Sequence, residues 1–154
     1  CHENSKYVPD QKIINKTINL ENNLELTKVK TFQKFIKNIN ETRYRLVKLL
    51  KKYKKSGKKI HCYGASTKGN VLLQYFKLNN KIIDFAAERN KNKYGLYTPG
   101  TKIKIISEAL SRFHKPDYYL VLPWHFKREI LIRERKIRRK GTKFIFPLPN
   151  LEIV

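Results

Sequence analysis

The chain has 154 residues, of which 31% are charged and 40% hydrophobic, a composition that folds rather than staying disordered. Its apolar runs, the longest at residues 118–124, fall far below the roughly 18 residues that a membrane-spanning helix needs. Lysine and arginine number 35 against 12 aspartates and glutamates, a formal net charge of +23 that keeps nucleic acid among the candidate partners. Heavy use of Lys, Ile and Asn is also what an AT-rich coding sequence produces, so the charge alone does not decide. Cys1 and Cys62 form no CxxC pair, which argues against a zinc ribbon or a disulfide framework and for a reducing, cytoplasmic setting with no metal. No secretory leader is read at the start. The lack of methionine and the opening Cys1-His2-Glu3 read as a piece of a longer protein.

Residues 1–27 are polar, and Val8, Ile13, Ile14, Ile18 and Leu20 suggest one extended segment at most. From about Thr27 apolar residues recur at spacings of three and four through Leu50, interrupted on that face by Arg43, which predicts a long helix. It should end near Ser56-Gly57, with Gly57 in a left-handed cap and lysines at the negative end of the helix dipole. Residues 59–63 read as a short buried strand and 64–69 as a tight turn. Residues 70–78 read as a helix with Val71, Leu72, Tyr75 and Phe76 inward, and 82–87 as a second strand ending at Glu88. That is the size of a βαβ unit. A loop closed by Pro99-Gly100 leads to a short strand at 102–106, and Ser107 caps a small helix reaching about Phe113. A third strand at 118–122, a basic helix at 125–139 and a last strand at 142–146 complete the pattern. Alternating strands and helices predict an α/β fold with a mostly parallel sheet flanked by helices, preceded by a long N-terminal helix.

Ligands of such sheets bind at the carboxyl ends of the strands, where Gly64-Ala65-Ser66-Thr67-Lys68-Gly69 lies. Gly64 permits a sharp turn, and Ala65 and Ser66 let a ligand approach the backbone. Ser66 or Thr67 can cap the next helix. Lys68 is a cation in a first helical turn, which opposes the dipole unless an anion binds there. Glu88 stands about 20 residues on, where an acid often bonds a ribose hydroxyl. The turn is neither GxGxxG nor GxxxxGK[ST], so a plain strand-to-helix turn with Lys68 in solvent is the competing reading.

The stretch Tyr63-Gly64-Ala65-Ser66-Thr67-Lys68-Gly69-Asn70, followed by Leu72-Leu73, resembles the opening of the C-terminal domain of C-methyltransferases that act on nucleotide-linked sugars. Lys93-Tyr94-Gly95 through Pro99-Gly100, Pro116-Asp117-Tyr118 with 120–124, Glu129-Ile130, and 141–149 resemble further motifs of that family, in the same order. The resemblance covers about residues 28–154. It implies a Rossmann-like domain that follows a methyltransferase domain binding S-adenosyl-L-methionine (SAM), with a nucleotide-sugar held between the two. Residues 1–27 would then be a lead-in or the end of that preceding domain, with His2 to Val8 loosely like its last strand. The chain would supply the substrate-binding part of a transferase in deoxysugar biosynthesis, would not act alone, and would bind no SAM itself; its partner is that domain or a separate subunit. On this resemblance the substrate-binding set is Gly64, Ala65, Ser66, Lys68, Gly69, Asn70, Glu88, Tyr97, Trp124 and His125, with no catalytic residue identified. His125 stands where the family usually has Asn, and Glu88 where it usually has Asp.

Other readings of these residues remain. His125 can cap the following helix rather than meet phosphate, Tyr94 and Tyr97 can pin a loop rather than stack on a base, and His61 fits a satisfied core residue. The rival function is a basic nucleic-acid-binding or scaffold module. Residues 28–59 carry 13 Lys and Arg against Glu41, and 124–143 carry nine against Glu129 and Glu134. No RNP-type sheet motif, GXXG loop or helix-turn-helix signature accompanies them.

Overall fold

A computed structural model of the chain describes residues 6–154 and divides into two compact units, one running to Glu41 and one comprising Thr42–Val154. The expected likeness of His2 to Val8 to the end of another domain falls mostly on residues 1–5, outside the described residues.

The first unit contains helix α1 (Gln11–Asn23) and the N-terminal part of α2 (Val29–Lys55). The extended segment expected before residue 27 is therefore a helix instead. Asp10 caps it, its carboxylate accepting from the N–H groups of Lys12 and Ile13 at 3.0 and 3.1 Å, and no glycine or proline interrupts the 13 residues. None of the described residues up to Glu41 is buried.

The second unit opens with the rest of α2, which buries Leu46 and Leu50 and ends as expected at Gly57 (φ +73°). The Lys58 N–H returns to the Tyr53 carbonyl at 3.1 Å, closing the helix end. Strands β1 (Ile60–Tyr63), β2 (Phe85–Glu88), β3 (Lys104–Ser107), β4 (Tyr118–Val121), β5 (Lys143–Phe146) and β6 (Glu152–Ile153) form one sheet in the order β3-β2-β1-β4-β5-β6. The first five are parallel, and β6 is antiparallel to β5. This is the strand order of a Rossmann-type sheet, with its switch point between β1 and β4. The central β1 is buried along its whole length.

Two helices differ from the sequence expectation. Helix α3 (Thr67–Tyr75) starts three residues early because Ser66 caps it, its hydroxyl accepting from the Gly69 N–H at 3.1 Å. Its inward face is consequently Gly69, Leu72, Leu73 and Phe76, while Val71 and Tyr75 are exposed. The close approach at Gly69 sets this rotation: an added Cβ would lie 2.7 Å from Leu122 Cβ. Short helix α4 (Glu108–Phe113) is capped by Ser107 as expected. The single basic helix expected at 125–139 is instead a 3₁₀ turn (Trp124–Phe126), α5 (Lys127–Arg133) and α6 (Arg135–Arg139). The break falls at Glu134 (φ −96°, ψ 15°), whose carboxylate is drawn into the interior with 3% of its side chain exposed.

Candidate functional site

The chain leaves β1 through Gly64, which has φ +83° and lies where a Cβ would meet Pro123 Cδ at 3.1 Å. Glycine is required there both for the backbone angle and for the approach of the loop after β4. The turn is held on both sides. The Gly64 N–H donates to Ala87 at 2.7 Å and the Ala65 N–H to Glu88 Oε2 at 3.1 Å, while Lys93 Nζ donates to the Ala65 carbonyl at 3.1 Å. Glu88 also accepts from the Arg89 and Asn90 N–H groups at 2.8 and 3.1 Å. Burial pushes the Glu88 carboxyl up, but these N–H groups and the Lys93 cation outweigh it and hold its pKa below the ordinary value. Beyond this clamp, the N–H groups of Ser66, Thr67 and Lys68 donate to no described residue.

A cleft of about 410 Å³ opens at this edge. The turn contributes Gly64, Ala65 and Ser66, and β2 ends in it with Glu88 and Arg89. Glu108 at the start of α4 and Pro123, Phe126, Glu129 and Arg133 complete much of the wall. Under that wall lies a polar network. Buried Glu134 accepts from the Tyr63 hydroxyl at 2.8 Å and from Arg112 Nε and Nη2 at 3.0 and 2.5 Å. Arg112 and Arg133 both reach Glu108, at 3.0 and 2.7 Å, and Arg133 also donates to the Tyr63 hydroxyl and lies over its ring. Burial raises the Glu108 pKa, an effect that the Arg112 cation only partly offsets.

Of the residues singled out in the sequence, Gly64, Ala65, Ser66 and Glu88 line this cleft, whereas Lys68, Gly69, Asn70, Tyr97, Trp124 and His125 are not among its lining. Lys68 is exposed in the first turn of α3, and Gly69 packs against Leu122. Asn70 keeps a buried Oδ1 with no partner among the described residues. Tyr97 is exposed on a loop that bridges to Lys104. Trp124 packs on the core cluster around Tyr63 and Phe146, and the exposed His125 ring lies 4.4 Å from that of Phe126. Lys93 stands out in the sequence only as the start of a family motif, and Arg89, Glu108, Arg133 and Glu134 are not among the expected site residues. For these four the available signal is Glu134 itself, an isolated acid in the basic run 133–140. His61 is a satisfied core residue: its Nδ1 lies 2.7 Å from the Ser111 hydroxyl, which lies 2.7 Å from the Tyr119 hydroxyl. Burial lowers the His61 pKa to about 4.

Comparison with known families matches residues 1–149 to the C-methyltransferase C-terminal domain. The chain belongs to that family. It is 32% identical over 123 residues to the C-methyltransferase NovU of Streptomyces niveus, an alignment covering 80% of this chain and 29% of that relative. The chain therefore spans less than a third of the length of the curated relative it matches.

A methyltransferase family implies SAM. The acid that would have to bond its ribose here, Glu88, has both oxygens engaged by the chain's own N–H groups and by Lys93. Glu88 is therefore not available to hold a SAM ribose. Among the described residues no cluster of His, Cys, Asp or Glu could hold a metal, and no helix is long and apolar enough to cross a membrane.

Proposed function

We propose that this chain is the nucleotide-sugar-binding part of a SAM-dependent sugar C-methyltransferase and is inactive without the domain that binds SAM. The observation that carries the reading is the clamped turn at the switch point, which leaves three successive N–H groups at the start of α3 without partners among the described residues, beside a charged cleft. Such N–H groups, backed by the positive end of the helix and by Lys68, suit a diphosphate. Glu88 and Lys93 then act indirectly, by fixing the turn before the ligand arrives, and Arg89 adds a cation on the cleft wall. Glu129, to which no described residue donates, is the acceptor on the α5 side for sugar hydroxyls. Asn70, Tyr97, Trp124 and His125 remain members of the proposed binding set, outside the cleft lining. In the family reaction, SAM supplies an electrophilic methyl group to a sugar carbon; this domain's share is to bind and orient the substrate.

An NMR titration of the labelled chain with nucleoside diphosphates, nucleotide-sugars and a short single-stranded oligonucleotide at matched salt tests the reading. Shifts confined to residues 64–70, Glu88 and Trp124 with the nucleotide ligands support it. Lys68→Ala should weaken that binding about tenfold, the usual worth of a charge-assisted contact. An unchanged dissociation constant removes Lys68 from the site. Shifts spread over residues 48–59 and 133–139 with the oligonucleotide alone favour the nucleic-acid reading, which the +23 charge motivates.

A further inference from the structure

The unit up to Glu41 has no core of its own: none of its described side chains is buried. Its helices are nevertheless patterned. On α2, Val29, Phe32, Phe35 and Ile36 recur at helical spacing on one face, and Val29 and Phe35 are 71% and 61% exposed. On α1, Ile13, Ile14, Ile18 and Leu20 are likewise exposed. An isolated helix of 13 residues such as α1 is marginal in water, and apolar stripes of this size mark contact surfaces. We propose that this apolar face is the surface on which the SAM-binding methyltransferase domain docks. The proposal rests on the functional reading above and adds the contact surface to it.

Three observations select that occupant. The family is by description a C-terminal domain, and the alignment covers only 29% of the curated relative, so most of that relative's length lies outside the match. The helices that carry these exposed stripes precede the sheet in the chain, on the side from which a preceding domain arrives. The rim of the α2 stripe carries Lys30, Lys34 and Lys37, with no acid in that helix before Glu41. Two copies face to face would bring these lysine rows together, whereas a partner with an apolar patch and an acidic rim would complement them. A lipid surface fits less well, because the polar side of α1 is rich in Asn and carries only Lys12 and Lys16, opposed by Glu21.

The test uses the 154-residue chain and the SAM-binding methyltransferase domain of the same enzyme, added as a separate polypeptide. Amide exchange over residues 11–23 and 29–41 should slow at least tenfold on mixing. Phe35→Asp and Ile14→Asp should each weaken the association by tenfold or more. Both sites are exposed, so Trp124 fluorescence should report an unchanged second unit. Unchanged exchange on mixing overturns the proposal. So does protection of the same amides in the chain alone with the mass of a dimer, or only with anionic vesicles or RNA. Nucleotide-sugar shifts at residues 64–70, read on the same samples, separate the two hypotheses: docking without those shifts sinks the ligand reading, and shifts without docking sink this one.

Discussion

Glu134 offers the most demanding test of the network beneath the cleft. It is almost fully buried, and it neutralises Arg112 through two hydrogen bonds while accepting a third from the Tyr63 hydroxyl. Glu134→Ala leaves Arg112 with Glu108 as its remaining carboxylate partner and the Tyr63 hydroxyl without its acceptor. Breaking a buried pair from one side costs about 3–5 kcal/mol. Arg112 keeps 33% of its side chain exposed and retains Glu108, so water and that contact relieve part of the penalty. The expected loss is therefore about 3 kcal/mol, at the low end of that range. With a urea m-value of about 2 kcal/mol/M, the midpoint moves down by about 1.5 M. Trp124, the single tryptophan, packs against the cluster containing Tyr63 and reports the transition by fluorescence. Replacing both partners, as Glu134→Leu with Arg112→Met, should recover part of the loss: Arg112 is then not stranded and Arg133 keeps Glu108, while the Tyr63 hydroxyl still lacks its acceptor. A Glu134→Ala loss below about 1 kcal/mol, or a double variant as unstable as the sum of its parts, would refute the view that this pair is held by burial.

Two further outcomes follow from packing and protonation. Gly69→Ala gains about 1 kcal/mol of helix propensity, but its methyl group meets Leu122 Cβ at 2.7 Å, a contact that no rotamer change can relieve. Denaturant unfolding should show a net loss of about 1–3 kcal/mol, and a stabilised variant would show that α3 can lift from β4 at little cost. The buried His61 has its pKa lowered to about 4, so below its ordinary value of 6.5 the unfolded chain takes up a proton that the folded one refuses. Stability from this site is complete above that ordinary value and is lost as pH falls towards the folded value, by about 2 kcal/mol at about pH 5. Thermal melts between about pH 7 and pH 5 should flatten in His61→Gln, and an unchanged slope would exclude His61 as the source.

The features legible in the sequence are those whose cause lies within a few residues. Gly57 ends α2 and Ser107 caps α4, each through a local signal. What was not legible depends on distant partners. Glu134 breaks a helix that its own neighbourhood would continue, because Tyr63, 71 residues away, and Arg112 draw its carboxylate inward. Lys93 opens a stretch that resembles a family motif, but its contact with the Ala65 carbonyl is set by the fold. Ser66 is a legible cap for α3, yet the apolar pattern at 70–78 points to a different inward face, because the contact that orients the helix is that of Gly69 with the distant Leu122. Helix α1 is not legible because its apolar residues cover no core and stand among asparagines that favour turns.

The loop before β3 has a consequence away from any ligand. Residues 95–103 fold back along β3: the Gly95 N–H donates to Ile105, Ile105 to Leu96 and Thr98 to Ile103, and Tyr97 bridges Lys104. The outer rim of β3 is thus occupied by the chain itself, while the opposite rim of the sheet ends in a two-residue antiparallel strand. Unpaired strand rims are templates on which other chains add strands, and short or self-covered rims deny them that template. Shortening this loop should thus leave the domain able to fold yet prone to stack edge to edge into insoluble assemblies, a failure of colloidal behaviour rather than of stability.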